Sequence, residues 1–413
     1  MENHPLIQDD AVVLGLLAVT LGLVFWTSSL KNPAWQRFYA IVPALLLCYF
    51  IPALFNTIGL IDGHASGLYP MARDYLLPTA LVLLTLSIDF KSILRLGPKA
   101  IIMFLVGTGG VMLGAVVAYA VMSVISPSTV QGDAWRGMTT LAGSWIGGGA
   151  NQAAMKEVFA VDMNMFGQFV AVDVLVANVW VAVLFFLAAR ADRFDAWTGA
   201  DTSAIEDMKR RLEDYHAEHS RIPSLTDLMV ILAFGLGAAG LSHFIAAPAV
   251  TWISGLPQEW RLADYSLTSE FFWMVIAATS IGLALSFSPA RHLEGAGASR
   301  VGSAMIYILV ATIGMHMDLM ALFEAPGLFL LGFIWISVHA MLMLTVAKLI
   351  RAPLFFMAVG SQANIGGAAS APVVASAFHP SLAPVGVLLA VLGYALGTYC
   401  AYLTGLMLQA IAT

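Results

Sequence analysis

Charge is scarce in this 413-residue chain: Asp, Glu, Lys and Arg together make up 11% of it, against roughly a quarter in soluble domains. So few charges cannot clothe a water-facing surface of this size, which excludes an ordinary soluble fold. Those present sum to −6, with a pI near 5.8. That balance excludes a general basic face for nucleic acid, and no nucleic-acid partner is expected. Cysteine is scarcer still. Cys48 and Cys400 both fall inside apolar runs, so they are expected as inert core thiols with no disulfide or metal framework. A Walker-type glycine loop is missing, which excludes ATP as an energy source within the chain. No pair of His, Cys, Asp or Glu has metal-site spacing, and no cofactor is expected.

What is abundant is apolar: 60% of residues are hydrophobic and the mean hydropathy is +0.85. Crossing a bilayer of about 30 Å takes roughly 20 apolar residues, and at least ten such runs can be read. A polytopic, all-α membrane protein is expected. Its N-terminal "MENHPLIQDD" lacks the basic region of a cleaved signal peptide. Apolar segments lie near 11–29, 38–61, 75–90, 100–126, 137–160 and 164–189. Six more lie near 225–253, 268–288, 300–317, 327–347, 353–378 and 382–411. Between the two sets, residues 191–224 form the one long polar stretch. Within it Ser203 and Glu206 have capping-box spacing, and Ile205, Met208, Leu212 and Tyr215 make a thin apolar stripe. This predicts an amphipathic helix on a linker.

The two sets repeat one another. The third segment of each ends on an aspartate, Asp89 or Asp318, followed by a Gly and Pro pair and another apolar run. These aspartates, with His316 and Glu324, sit at segment ends and are expected as interfacial caps. The fifth segment of each carries small and polar residues where a membrane helix would be oily: "LAGSWIGGGANQAAMKEVF" at 141–159 and "MAVGSQANIGGAASAPVVASAF" at 357–378. The matching order of features points to duplication, with residues 1–190 as one repeat and 225–413 as the other.

Charge distribution chooses the threading. If the glycine-rich segments dip in and return, and the N-terminus is outside, only Arg73, Arg136, Lys156 and Arg261 of the Lys and Arg residues stay outside. Five true crossings then remain per repeat. An odd number forces the repeats to be inverted, with one hairpin entering from each face and both termini outside. Glycine allows the reversal, and the backbone dipoles freed at mid-depth are tolerated only where they line a protein cavity. Alternatively, these segments are broken spanning helices.

The two motifs, with "VDVLVANVWVAVL" at 172–184 and "LAPVGVLLAVLGYALGTY" at 382–399, resemble the YjcL-like bacterial membrane family of unknown function over nearly the whole chain. In design the chain is also similar to the sodium/glutamate and hydroxycarboxylate symporters, whose hairpin sequences differ. That resemblance implies an elevator-type transporter in the bacterial cytoplasmic membrane, with a core that slides against a scaffold and a homodimeric assembly. By position it implies a substrate site at Ser144, Gly148, Gly149, Asn151, Gln152, Ser361, Gln362, Asn364, Gly366 and Gly367.

Asp173 is the one carboxylate well inside an apolar run, where a charge costs at least about 2.5 kcal/mol. An ion-coupling role is expected for Asp173, with Asn178 on the same segment, and sodium could be held by Ser144, Asn151 and Asp173. A proton carried by Asp173 is the alternative. His243 and His339 are single intramembrane histidines of the kind that glue helices together. The leading expectation is a symporter of a small anionic or zwitterionic solute, such as an amino acid, short peptide or carboxylate, and not an enzyme. Two other classes stay open: an intramembrane hydrolase with Ser144 as nucleophile and His339 as base, and a channel or sensor.

Overall fold

The computed structural model describes residues 6–42, 44–63, 65–200, 205, 223–260, 262–317, 326–379 and 382–412. The expected linker helix, apart from Ile205, lies outside these residues, as do Asp318 and Glu324. Apart from an isolated bridge between Ile7 and Ile61, the regular structure described is helical. The first half holds α1 (Asp10–Ser29), α2 (Pro33–Ile41), α3 (Ala44–Thr57), α4 (Leu68–Met71), α5 (Leu77–Leu86), α6 (Pro98–Ile125), α7 (Ala134–Val158) and α8 (Met163–Ala188). A short α9 (Ala191–Thr198) follows. The second half holds α10 (Leu225–Ser254), α11 (Glu270–Ser286), α12 (Ala298–Gly314), α13 (Gly327–Leu349), α14 (Leu354–Ile365), α15 (Gly367–Phe378) and α16 (Ala383–Ala412).

Polar side chains set the boundaries of these oily helices. Asp9 accepts from the amides of Ala11 and Val12, Asp162 from those of Asn164 and Met165, and Ser224 and Asp227 form a reciprocal capping box. By length and composition α1, α6, α8, α10, α13 and α16 can each cross a membrane; counting each of two bent helix pairs as one span raises the number to eight. The sequence suggested at least ten. The third segment falls short because a π-helical turn, Ala72–Leu76, separates α4 from α5, and the ninth because α12 has only 17 residues. The wide turn leaves the Asp74 carbonyl to the His243 ring, 2.7 Å away on α10, so His243 is helix glue.

The helices pack as two bodies. One gathers α10, α11 and α12 around α5, all ten of whose residues are buried, with α1 and α3 packed on α12. The other contains α6, α7, α8, α13, α14, α15 and α16, with α7 on α16 and α13 on α6 as its main pairings. They meet chiefly where α5 and α11 touch α7 and α16.

Loop contacts sort into two opposite faces. At the first, Ser66 bonds Asp10, the Tyr69 ring lies 5.1 Å from His316, and Ser266 donates to the Val158 carbonyl at 2.8 Å. At the second, Arg291 pairs with Asp89 at 3.0 Å, Lys99 donates to the Arg351 carbonyl at 2.8 Å, and Lys348 donates to the Trp197 carbonyl. Contacts place Arg73, Arg136 and Lys156 at the first face and Lys99, Arg291, Lys348 and Arg351 at the second.

Candidate binding site at two helical hairpins

Straight, the 25 residues of α7 would span about 37 Å, yet its ends touch. Arg136 donates to the Phe159 carbonyl at 2.8 Å, and the Trp135 and Phe159 rings are 5.9 Å apart. The chain turns back at Gly148, whose φ of 74° and ψ of −173° belong to a region that only glycine occupies comfortably. The α14–α15 pair does the same. Its outer ends meet through Phe355 and Phe378, rings 5.4 Å apart, and it reverses at Gly366 and Gly367, the latter with φ of 57°. Both glycine-rich segments therefore fold back on themselves as helical hairpins.

The hairpins open toward opposite faces. The first emerges beside Tyr69, where Lys156 donates to the Tyr69 hydroxyl at 2.8 Å and Tyr69 bonds Glu157. The second begins on α9, whose Asp195 accepts from the Leu354 amide at 2.7 Å. Their tips converge on the middle of α16. A side-chain carbon added at Gly393 would lie 2.6 Å from the Ile146 carbonyl of the first hairpin and 3.7 Å from the Ala363 carbonyl of the second. Hydrogen at this position lets the two tips approach one helix together. Gly148 and Gly149 keep part of their surface accessible between largely buried arms, and Gly366 does so at the end of buried α14, whereas α15 is exposed at Ala369, Val373 and Ala377.

Asp173 on α8 receives the first hairpin. Its Oδ2 accepts from the Ser144 hydroxyl at 2.5 Å and from the Gln152 amide at 3.3 Å, and its Oδ1 accepts from the Trp145 indole at 2.8 Å. Ser144 and Gln152 lie on opposite arms, so one carboxylate ties both. Seven residues along α8, hence on the same helical face, Trp180 reaches the second hairpin. Its indole donates to Ser361 at 2.9 Å, and Ser361 also lies 2.8 Å from Nε2 of His339. His339 Nδ1 is 3.1 Å from the Gly107 carbonyl. Acting as donor there leaves Nε2 to accept from Ser361.

The structure thus brings Ser144, Gln152 and Asp173 together and holds other expected site residues apart from them. Asn178 donates to Val174 on its own helix at 2.7 Å; five residues from Asp173, it points elsewhere. Asn151 points at α16: its amide donates to the carbonyls of Gly147 and Tyr394, and its Oδ1 accepts from Thr398. The set of Ser144, Asn151 and Asp173 considered for sodium is not assembled as side-chain ligands. Asn364 makes the corresponding bonds with Gly360, Phe104 and Thr108. His339 pairs with Ser361 and not with Ser144, so the nucleophile and base of the hydrolase reading do not meet. Among the described residues no group of three or more His, Cys, Asp or Glu could hold a metal ion. Cys48 and Cys400 are free thiols.

Trp145, Trp180, Thr108, Thr398 and Gly393 were not singled out from sequence. The period of α8 offered a signal for Trp180, a buried aromatic seven residues beyond the acid. The threonines offered none, because they are recognisable only by the asparagine across the interface.

A family model described as "Protein of unknown function (DUF819)" matches residues 15–411. The "Uncharacterized membrane protein YjcL" of Bacillus subtilis (strain 168) is 25% identical over 405 residues, covering 96% of each chain. With the match extending from the first helix through both hairpins to the last, the chain belongs to the DUF819 family of membrane proteins of unknown function.

Proposed function

We propose that this membrane protein is a secondary active transporter of a small anionic or zwitterionic organic solute, driven by a sodium or proton gradient through an elevator mechanism. The observation that carries the reading is the convergence of two oppositely opening hairpins on Gly393. A segment whose ends touch enters and leaves a bilayer on one side, and backbone broken at that depth is tolerated where it lines a cavity. Helix ends meeting there offer N–H dipoles to anionic groups and carbonyls to cations, an arrangement suited to a solute held midway between two aqueous faces.

The rest of the reading builds on this geometry. Counting the interrupted third segment and short α12 as crossings, and the hairpins as re-entrant, gives five crossings per half and inverted repeats over 1–190 and 225–413. The basic second face is cytoplasmic by the positive-inside rule. Both termini and the mouth of the first hairpin are then external, and 191–224 is a cytoplasmic linker. The two helical bodies supply a sliding core and a scaffold, and a homodimer would steady the scaffold. We place the protein in the bacterial cytoplasmic membrane.

The test is aqueous access. In a background lacking Cys48 and Cys400, Ala150→Cys and Ala368→Cys should react with small hydrophilic thiol reagents, and Lys156→Cys should be labelled only from outside. If both tip positions are inert, or Lys156→Cys is labelled from the cytoplasm, the reading fails.

A further inference from the structure

The chemistry at the tip of the second hairpin narrows the solute, on the premise that the tips form its binding site. Helix α15 has 12 residues and starts at Gly367 with no side-chain cap, since Gly366 has none to offer. Its first-turn amides therefore have neither intrahelical acceptors nor a side-chain cap, and they sit at the positive end of the helix dipole. A carboxylate fits this end. Gln362 lies directly beside it and is fully buried. Its Nε2 donates to Ser370 at 2.6 Å, and a side-chain carbon added at Gly366 would lie 2.1 Å from that nitrogen. Its Oε1 has no hydrogen-bond partner. An acceptor left alone in a buried place costs about 1–3 kcal/mol, and a ligand N–H would remove that cost.

We propose that this tip binds a zwitterion, with its carboxylate on the first-turn amides of α15 and its ammonium group on Oε1 of Gln362. One side of the site wants an anion and the other a hydrogen-bond donor, within the span of a single turn. α-Amino acids and small peptides carry both groups. The turn is within reach: nothing lies within 4 Å of a side-chain carbon built at Gly367, Gly366 and Ala368 are partly accessible, and Ala369 is exposed. Rotating the Gln362 amide by half a turn would leave its NH₂ group unpartnered instead, and the site would then take a second carboxylate. Amino acids and dicarboxylates are therefore the compounds to set against each other.

Purified protein is screened by thermal shift against L-amino acids, dipeptides, succinate and propionate. For each amino acid or dipeptide that acts, its N-acetyl and methyl-ester derivatives are tested. The expected result is stabilisation by at least one zwitterion and loss of the effect in both derivatives. Gln362→Met keeps the volume and removes the acceptor, and should weaken apparent affinity at least tenfold. Ala369→Asp, at an exposed position beside the amides, should do the same without disturbing buried packing. The proposal is overturned if succinate acts and no zwitterion does, if N-acetyl derivatives act equally well, if both variants bind as the parent does, or if no zwitterion acts at all. Stabilisation by succinate alone would leave the transporter reading standing, because that reading falls only on the accessibility of the cysteines at the tips.

Discussion

The Thr398 hydroxyl donates to Asn151 Oδ1 at 2.5 Å, and the Asn151 amide returns a bond to the Tyr394 carbonyl one turn earlier on α16. The second hairpin repeats the device on α6: Thr108 donates to Asn364 at 2.8 Å, and Asn364 donates to the Phe104 carbonyl at 3.0 Å. In both, the asparagine spends its other N–H on the carbonyl four residues back, across the turn for Asn151 and Gly147 and within its own arm for Asn364 and Gly360. Each hairpin is therefore clamped to a continuous helix of the same body. Deleting the threonine leaves a buried amide oxygen short of a donor, so Thr398→Val and Thr108→Val should each cost about 1–3 kcal/mol. Asn→Ala at 151 or 364 should cost more, because several partners lose a bond at once. Melting in detergent or lipid discs measures the series. Thr345→Val, at an exposed hydroxyl bonded to its own helix, is the control expected to change little.

Gly148 and its neighbour should behave differently. At φ of 74° and ψ of −173° Gly148 occupies backbone space that side chains disfavour by roughly 1–3 kcal/mol. A methyl group at Gly149 would meet only Ile306, at an ordinary 3.7 Å. Gly148→Ala should lower the melting temperature, whereas Gly149→Ala should leave it nearly unchanged. Equal effects would mean that the reversal is not centred on Gly148.

How much of this was legible in the sequence depends on the range of the interaction. Helix positions came through because apolar runs and their caps are local, and the hairpins because four glycines with Ser144, Asn151 and Gln152 have no place in an ordinary span. Asp173 stood out because a carboxylate in an apolar run is costly wherever it lies. Its partners across the fold were only half legible: Ser144 and Asn151 were expected beside it, but of these only Ser144 bonds it, joined by Trp145 and Gln152. The role of Asn151 was hidden, since an amide reads the same whether it faces a solute or a threonine on α16. The π-helical turn at Ala72–Leu76 has no period of its own and emerged only with His243 against it.

Away from the spans, Asp89 offers a pH-dependent test. Burial alone would raise its carboxyl, but the Ser92 hydroxyl and amide and the Arg291 guanidinium hold it below its usual value. A carboxylate depressed in the folded state adds stability above its unfolded value, near 3.9. That contribution is lost as pH falls through the folded value. Asp89→Asn should therefore melt lower than the parent near neutral pH, and the two curves should converge below about pH 4. A difference that persists unchanged into acid would show that Asp89 acts through packing and not through its charge.

The coupling ion turns on Asp173. Its two oxygens accept from a hydroxyl, an indole and an amide, so the carboxylate joins both arms of the first hairpin to α8. Asn at this position keeps the shape but replaces one acceptor by an NH₂ group, which must face at least one of these donors and loosen the tie. A sodium ion at the carboxylate needs the Ser144 oxygen turned toward it and further oxygens from backbone. A proton needs only the carboxylate, with the Ser144 hydroxyl changing from donor to acceptor. Once a transported solute is in hand, proteoliposomes loaded with it separate the two. Under sodium coupling Asp173→Asn should lose sodium dependence together with uptake. Under proton coupling it should lose accumulation driven by a pH gradient while still exchanging internal for external solute. Normal uptake by Asp173→Asn, with unchanged ion dependence, would remove Asp173 from coupling and leave it the structural role of fastening the hairpin.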